Sequence, residues 1–138
     1  MSRPTVTVIV PGFDVAPWAE EALQSLRAQT REDWTAILVD DASTDGTAEI
    51  FAAAAARDAR FRVVTHTERR GLSAARNSGL DLVDTPLLGF LDADDRLRPG
   101  ALAALVGAVE GSGSDFAVGA YVRLRADGAG GQAAGDVQ

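Results

Sequence analysis

Cysteine and lysine are both absent from this 138-residue chain, and histidine occurs once, at His66. Without cysteine there are no disulfides, no thiol nucleophile and no cysteine zinc site. A single histidine excludes a histidine metal cluster and an HExxH site. Without lysine there is no Schiff-base chemistry and no GxxxxGK[ST] phosphate loop. No apolar run approaches the roughly 18 residues that a membrane span requires, so no transmembrane segment is expected. Met1-Ser2-Arg3-Pro4 runs directly into a strand-like segment, which shows no secretory leader. Cytoplasmic placement is therefore expected, at the inner face of the membrane in a longer protein. All basic residues are arginine and the net charge is −7, which argues against general affinity for nucleic acid or anionic membranes. An anionic ligand would need local help from arginine, a helix N-terminus or a metal ion.

Apolar residues make up 46% of the chain and charged residues 24%, enough for one hydrophobic core in one ordinary domain or a large piece of one. Thr5 to Val10 is β-branched and nearly continuously apolar, which predicts a strand buried on both faces of a parallel sheet. Pro11-Gly12-Phe13-Asp14 ends it, and 17–29 has helical spacing with Pro17 in the first turn. The same logic predicts strands at 34–39, 61–65, 87–91 and 115–124, and helices at 44–57, 71–83 and 99–110, with Ser73 capping the 71–83 helix. Trp18 and Trp34 read as packing residues. From Ala126 the composition turns Gly/Ala-rich and predicts a flexible tail, leaving 1–125 as the folded unit. Strands alternating with helices predict an α/β fold: three layers, α/β/α, around a mainly parallel Rossmann-like sheet.

In such sheets, ligands bind beyond the carboxyl ends of the strands. Strand one ends at Phe13-Asp14, strand two at Asp40-Asp41, and strand four at Asp92-Ala93-Asp94-Asp95. Six of the twenty acidic residues thus gather on one sheet edge, which is unfavourable unless a cation or hydrogen-bond donors offset the repulsion. Hard oxygen ligands without histidine or cysteine suit Mg²⁺ or Mn²⁺, whose coordination shell phosphate oxygens can complete. Each piece also has a structural explanation. Asp40 to Gly46 fits a turn and helix cap, Asp92 to Asp95 a solvated loop, Asp14 a cap and Phe13 a core aromatic. Arg76 fits either a phosphate contact near a helix N-terminus or a surface arginine. Arg69-Arg70 reads as a solvated loop, and His66, at a strand end, receives no role.

Taken in order, these segments resemble a known family. Val6 to Asp14, Gln29-Thr30, Val39 to Thr47, Gly71 to Gly79 and Phe90 to Asp95 are similar in sequence and spacing to family 2 glycosyltransferases of the GT-A fold. The resemblance runs from about Thr5 to Leu124 and implies the donor-binding half of a nucleotide-sugar-dependent, inverting transferase. It implies that Pro11, Phe13 and Asp14 pack around the nucleotide base, most often that of a UDP-sugar. Asp41 accepts from the base, Asp92 and Asp94 hold ribose and a bridging metal, Asp95 is a further candidate, and Arg76 lies near the nucleotide. Phe13-Asp14 stands where the family usually has Tyr-Asn, which alters the groups offered to the base. The family's general base is expected beyond Gln138, and the acceptor stays unassigned. Segment 113–119 is similar to modules of teichoic-acid-type enzymes. A sheet lacking further strands is expected to self-associate through its uncovered edge.

Other classes remain. Asp92-Ala93-Asp94-Asp95 resembles the start of a haloacid-dehalogenase phosphatase, yet Arg96 and the lack of lysine do not fit that class. A Rossmann dehydrogenase needs GxGxxG after strand one, which Pro11 to Asp14 does not supply. A non-catalytic nucleotide-binding or interaction module of the same fold is the main alternative.

Overall fold

The alternating β-branched and helical runs assemble around a four-stranded parallel sheet. The computed structural model describes residues 4–112, 122–124 and 130–134. Strand β1 (Val6–Gly12) lies at the centre and pairs in parallel with β2 (Trp34–Asp40) on one side and β4 (Leu87–Phe90) on the other. β3 (Phe61–Thr65) pairs with β2, giving the order β3-β2-β1-β4. Every residue of β1 is buried, as its unbroken apolar run requires. β1 runs two residues further than its apolar run, because Pro11 and Gly12 keep register with Val39 and Asp40. Pro11 is tolerated at the sheet end: it has no N–H to donate, but its carbonyl accepts from Ala93 at 3.1 Å.

Side-chain alternation then assigns the layers. Val6, Val8 and Val10 of β1 face one side, packing with α1 (Ala16–Arg27), α2 (Thr47–Arg57) and α4 (Ala101–Ser112). Ile9, Ile37 and Val39 face the other side, against Ala75 of α3 (Leu72–Leu80). The three-layer α/β/α architecture is as the sequence predicts. Trp34 is a core residue, edge-on to Phe61 at 5.4 Å. Trp18 is not: it projects from α1 opposite the buried Ala19, Ala22, Leu23 and Leu26 stripe and is 50% exposed. Ser73 does not cap α3, which starts from Gly71 at φ 98°, a left-handed conformation open to glycine.

Gln29 is structural. Its amide donates to the carbonyls of Ser25 and Arg98 and accepts from the Leu102 N–H, at 2.7–3.0 Å. It thereby fixes the chain after β4 against α1.

The C-terminal expectations change. Of the strand predicted at 115–124, only Val122–Leu124 is described, as β5, and it lies outside the main sheet. It pairs antiparallel with β6 (Gly130–Ala134), within the segment whose Gly/Ala composition suggested a flexible tail. Backbone pairing needs no particular side chains, so small residues did not prevent it. The rest of 113–138, including 113–119, lies outside the described residues.

Gly79 marks the closest approach of α3 to the sheet. A Cβ there would sit 2.5 Å from Cγ2 of Ile9, which is fully buried. Gly79→Ala would gain about 1 kcal/mol of helix propensity. Overpacking a rigid core costs roughly 1–3 kcal/mol and outweighs that gain. The expected outcome is net destabilisation in chemical denaturation; unchanged or increased stability would contradict this packing.

Candidate active site

The sheet order places the strand-order reversal at β1, with β2 and β3 to one side and β4 to the other. Ligand crevices form at such a switch point, outside the carboxyl ends of the strands. An open cleft of about 180 Å³ lies there, lined by Pro11, Phe13, Asp41, Arg69, Asp92, Ala93 and Asp94 among others. Closed small-molecule sites typically span about 300–1,000 Å³, so this cleft is smaller than such a site and open to solvent.

Five of the seven residues singled out for nucleotide-sugar binding thus share one cleft: Pro11, Phe13, Asp41, Asp92 and Asp94. Arg76 reaches it indirectly, its Nη2 donating to Asp92 Oδ1 at 3.1 Å, while its Nε is buried with no hydrogen-bond partner among the described residues. Asp14 turns away from the cleft. Its carboxylate accepts from the Thr44 N–H at 2.7 Å, and its own N–H donates to Ser43 Oγ at 3.0 Å.

That contact belongs to a brace between the loops after β1 and β2. The Val15 N–H donates to Thr47 Oγ1 at 2.9 Å, and Ala16 N–H to Asp45 Oδ2 at 3.1 Å. Asp14 and Ala42 both adopt positive φ, 50° and 62°, at this junction. The turn-and-cap explanation therefore holds for Ser43, Thr44, Asp45 and Thr47, and Asp41 is the member of that run that faces the cleft.

Asp41 is 3% exposed and fully engaged on one oxygen. Its Oδ1 accepts from His66 Nδ1 and the Arg70 N–H, both at 2.8 Å, and its Oδ2 accepts from the Gly71 N–H at 2.9 Å. Burial alone would raise its pKa; the His66, Arg70 and Gly71 donors outweigh that and hold it below the ordinary 3.8. The folded pKa lies below the unfolded one. Asp41's contribution to stability is therefore present above about pH 3.8 and is lost as pH falls through the depressed folded value. A contact to an external anion at the N-terminus of α3 is one of the two readings that the sequence leaves open. The anion that takes the preceding Arg70 and Gly71 N–H groups is the chain's own Asp41.

Asp92 and Asp94 flank Ala93, which is 1% exposed and pinned by its N–H to the Pro11 carbonyl. Packing the middle residue inward leaves its two acidic neighbours at the cleft. Asp92, Asp94 and Asp95 bring one carboxylate oxygen each within 4.8 Å of one another. Crowding by surrounding protein raises the Asp95 pKa, and the charges of Asp94 and Asp92 add to it, although Asp95 as a residue is exposed. Three hard oxygens without a soft ligand fit Mg²⁺ or Mn²⁺.

Two residues read as incidental enter the site. Arg69 stacks over Phe13 with its guanidinium carbon 3.9 Å from the ring centroid, forming one wall of the cleft. His66 is buried behind Asp41. The available signal for His66 was its position directly after strand three, at the same sheet end as Asp41.

The family model for glycosyl transferase family 2 matches residues 7–132. The chain is 45% identical over 92 residues to EpsJ of Bacillus subtilis, a glycosyltransferase, covering 67% of this chain and 26% of EpsJ. Among solved structures, S. aureus TarS 1-349 in complex with UDP-GlcNAc superposes with a TM-score of 0.74 at 26% identity, covering 80% of this chain and 32% of that one. The mannosyltransferase PcManGT of Pyrobaculum calidifontis, in complex with GDP-Man and Mn²⁺, gives a TM-score of 0.71 at 34% identity, covering 90% and 36%. The chain thus spans about a quarter to a third of these proteins. Its parallel sheet, its cleft at the β1/β4 switch point and these matches together establish that the chain belongs to glycosyl transferase family 2 and has the fold of GT-A glycosyltransferases.

Proposed function

We propose that this chain forms the donor site of an inverting, divalent-metal-assisted glycosyltransferase that takes a nucleotide sugar, with a UDP-sugar favoured. The observation that carries this is the meeting of Asp41, Phe13, Asp92 and Asp94 in one cleft. The roles follow from the chemistry of each group. Phe13 offers a ring face to the base, and Asp41, as an ionised acceptor, suits a base with a ring N–H donor. Asp94, with Asp92, is assigned the metal, and Asp95 lies within reach of the same point. When bound, a divalent ion would supply Lewis-acid stabilisation of charge developing on the leaving diphosphate. Arg76, paired with Asp92, places a positive charge beside the same point and supports the developing charge. The structural relatives' ligands, UDP-GlcNAc in one and GDP-Man with Mn²⁺ in another, support a nucleotide sugar and a divalent ion here.

Inversion requires a base to deprotonate an acceptor hydroxyl. Among the described residues, the cleft carboxylates already have other work: Asp41 holds three donors, and Asp92 and Asp94 are assigned to the metal, with Asp95 within reach of the same point. The general base is accordingly assigned outside the described residues. A non-catalytic binding module of the same fold predicts the same binding and no turnover in a longer protein.

In calorimetry, the 138-residue chain is expected to bind UDP with Mn²⁺ present and much more weakly without it. Asp94→Ala should lower the Mn²⁺-supported affinity at least about tenfold, as loss of a charge-assisted ligand implies. Equal UDP binding with and without Mn²⁺, or an unaffected Asp94→Ala variant, would overturn the metal assignment.

We further propose self-association through β4. It is an edge strand whose Leu88 and Phe90 are 45% and 47% exposed on the α3 face. Sedimentation should show mass rising with concentration, more so as salt screens the −7 charge. A monomer at every concentration and salt level would contradict it.

A further inference from the structure

His66 sits between two partners with both ring nitrogens engaged. Nδ1 meets Asp41 Oδ1 at 2.8 Å, and Nε2 meets Ser78 Oγ at 2.8 Å, from within α3. The ring is 6% exposed, so no solvent route gives it a role in handling substrate directly. The order Asp–His–Ser matches that of a hydrolase triad, but Ser78 does not line the cleft. The imidazole therefore acts on Asp41.

An ionised carboxylate only accepts, so the Nδ1 proton points to Asp41. Nε2 then accepts from the Ser78 hydroxyl when the ring is neutral; the hydroxyl can reverse and accept when the ring is charged. The contact to Asp41 survives either state. A carboxylate has about four acceptor positions, two on each oxygen. His66 and the Arg70 N–H fill both on Oδ1, and the Gly71 N–H fills one on Oδ2. One position remains, on Oδ2, for a ligand in the cleft.

We propose that His66, held by Ser78, is a positioning residue for nucleobase selection: it locks the Asp41 carboxylate so that a single acceptor position is open, favouring bases with a ring N–H donor. Uracil presents such a donor at N3. Cytosine presents an unprotonated nitrogen there, which would face a carboxylate lone pair and leave a buried charge unpaired. Without the Nδ1 donor the carboxylate can turn about its own axis, expose Oδ1 and accept from cytosine's exocyclic amine as well. His66 thus acts on selectivity more than on affinity for the diphosphate. The inference rests on the proposed donor-site function and on Asp41 as the base contact.

The test compares UDP with CDP, each with Mn²⁺, by calorimetry on the full 138-residue chain. Wild type is expected to prefer UDP by at least about tenfold. His66→Asn places an amide N–H near the Nδ1 position and should keep that preference. His66→Gln places its amide near Nε2, loses the Asp41 contact, and should reduce the preference about tenfold while Mn²⁺ dependence remains. Ser78→Ala, which leaves the ring in place but unclamped, should reduce it by a smaller factor; it also serves if His66→Gln does not fold. A purely structural role for His66 would weaken UDP and CDP alike in the Asn and Gln variants, and that result overturns the inference. An unchanged UDP:CDP ratio in folded His66→Gln, or in Ser78→Ala if the Gln variant does not fold, also overturns it, while leaving the donor-site function standing. Failure of wild type to bind UDP at all would overturn both.

Discussion

The site rests on carboxylates crowded at one edge of a parallel sheet and on how their mutual repulsion is relieved. Each member is treated differently. Asp40 accepts from the Ser43 N–H, and Asp14 is consumed by Thr44 in the loop brace. Asp41 receives three donors, and Asp92 pairs with Arg76. Asp94 and Asp95 are left exposed beside Asp92. The carboxylates after β1 and β2 are thus held by hydrogen-bond donors, and the exposed negative charge of Asp94 and Asp95 collects at the β4 loop. A divalent cation there, as proposed, would let an acidic protein hold an anionic diphosphate.

The hydrogen-bonded half of the edge and the exposed half suit different tasks. Around Asp41, the His66 ring and two backbone N–H groups engage a buried carboxylate, which suits reading a base edge. Around Asp94, hard oxygens face open solvent, which suits a hydrated ion that must exchange with substrate. Arg76 lies at their boundary, with one nitrogen on Asp92 and another unpartnered. The backbone of β1 ties the halves together, because the Gly12 carbonyl accepts from Asp41 N–H and the Pro11 carbonyl from Ala93 N–H.

Much of this was legible in the chain. The β-branched runs mark β1 to β4, and their ends locate Asp41, Asp92 and Asp94, because parallel strands put all their carboxyl ends on one side. The contribution of His66 was signalled only by its position directly after strand three, at the sheet end shared with Asp41. That of Arg69 was not legible, because it depends on the loop before α3 folding back over Phe13, which leaves no local pattern. Asp14 shows the converse: the family resemblance implied packing around the base, but its positive φ sends the side chain to Thr44. Trp18 was misplaced because aromatic character suggested burial, while the narrow Ala/Leu stripe of α1 excludes it. The β5/β6 pairing escaped notice because Gly/Ala composition carries no strand signal and backbone hydrogen bonding needs none.

The central claim is that the residual charge at the β4 loop is completed by a cation and a diphosphate together. Binding of either must then strengthen binding of the other by the same factor. Electron paramagnetic resonance of free Mn²⁺, titrated with the chain alone and with saturating UDP, measures this directly. The account predicts that UDP tightens Mn²⁺ binding by about tenfold or more beyond what UDP does in solution without the chain. Mn²⁺ binding that is absent, or identical with and without UDP, would contradict it.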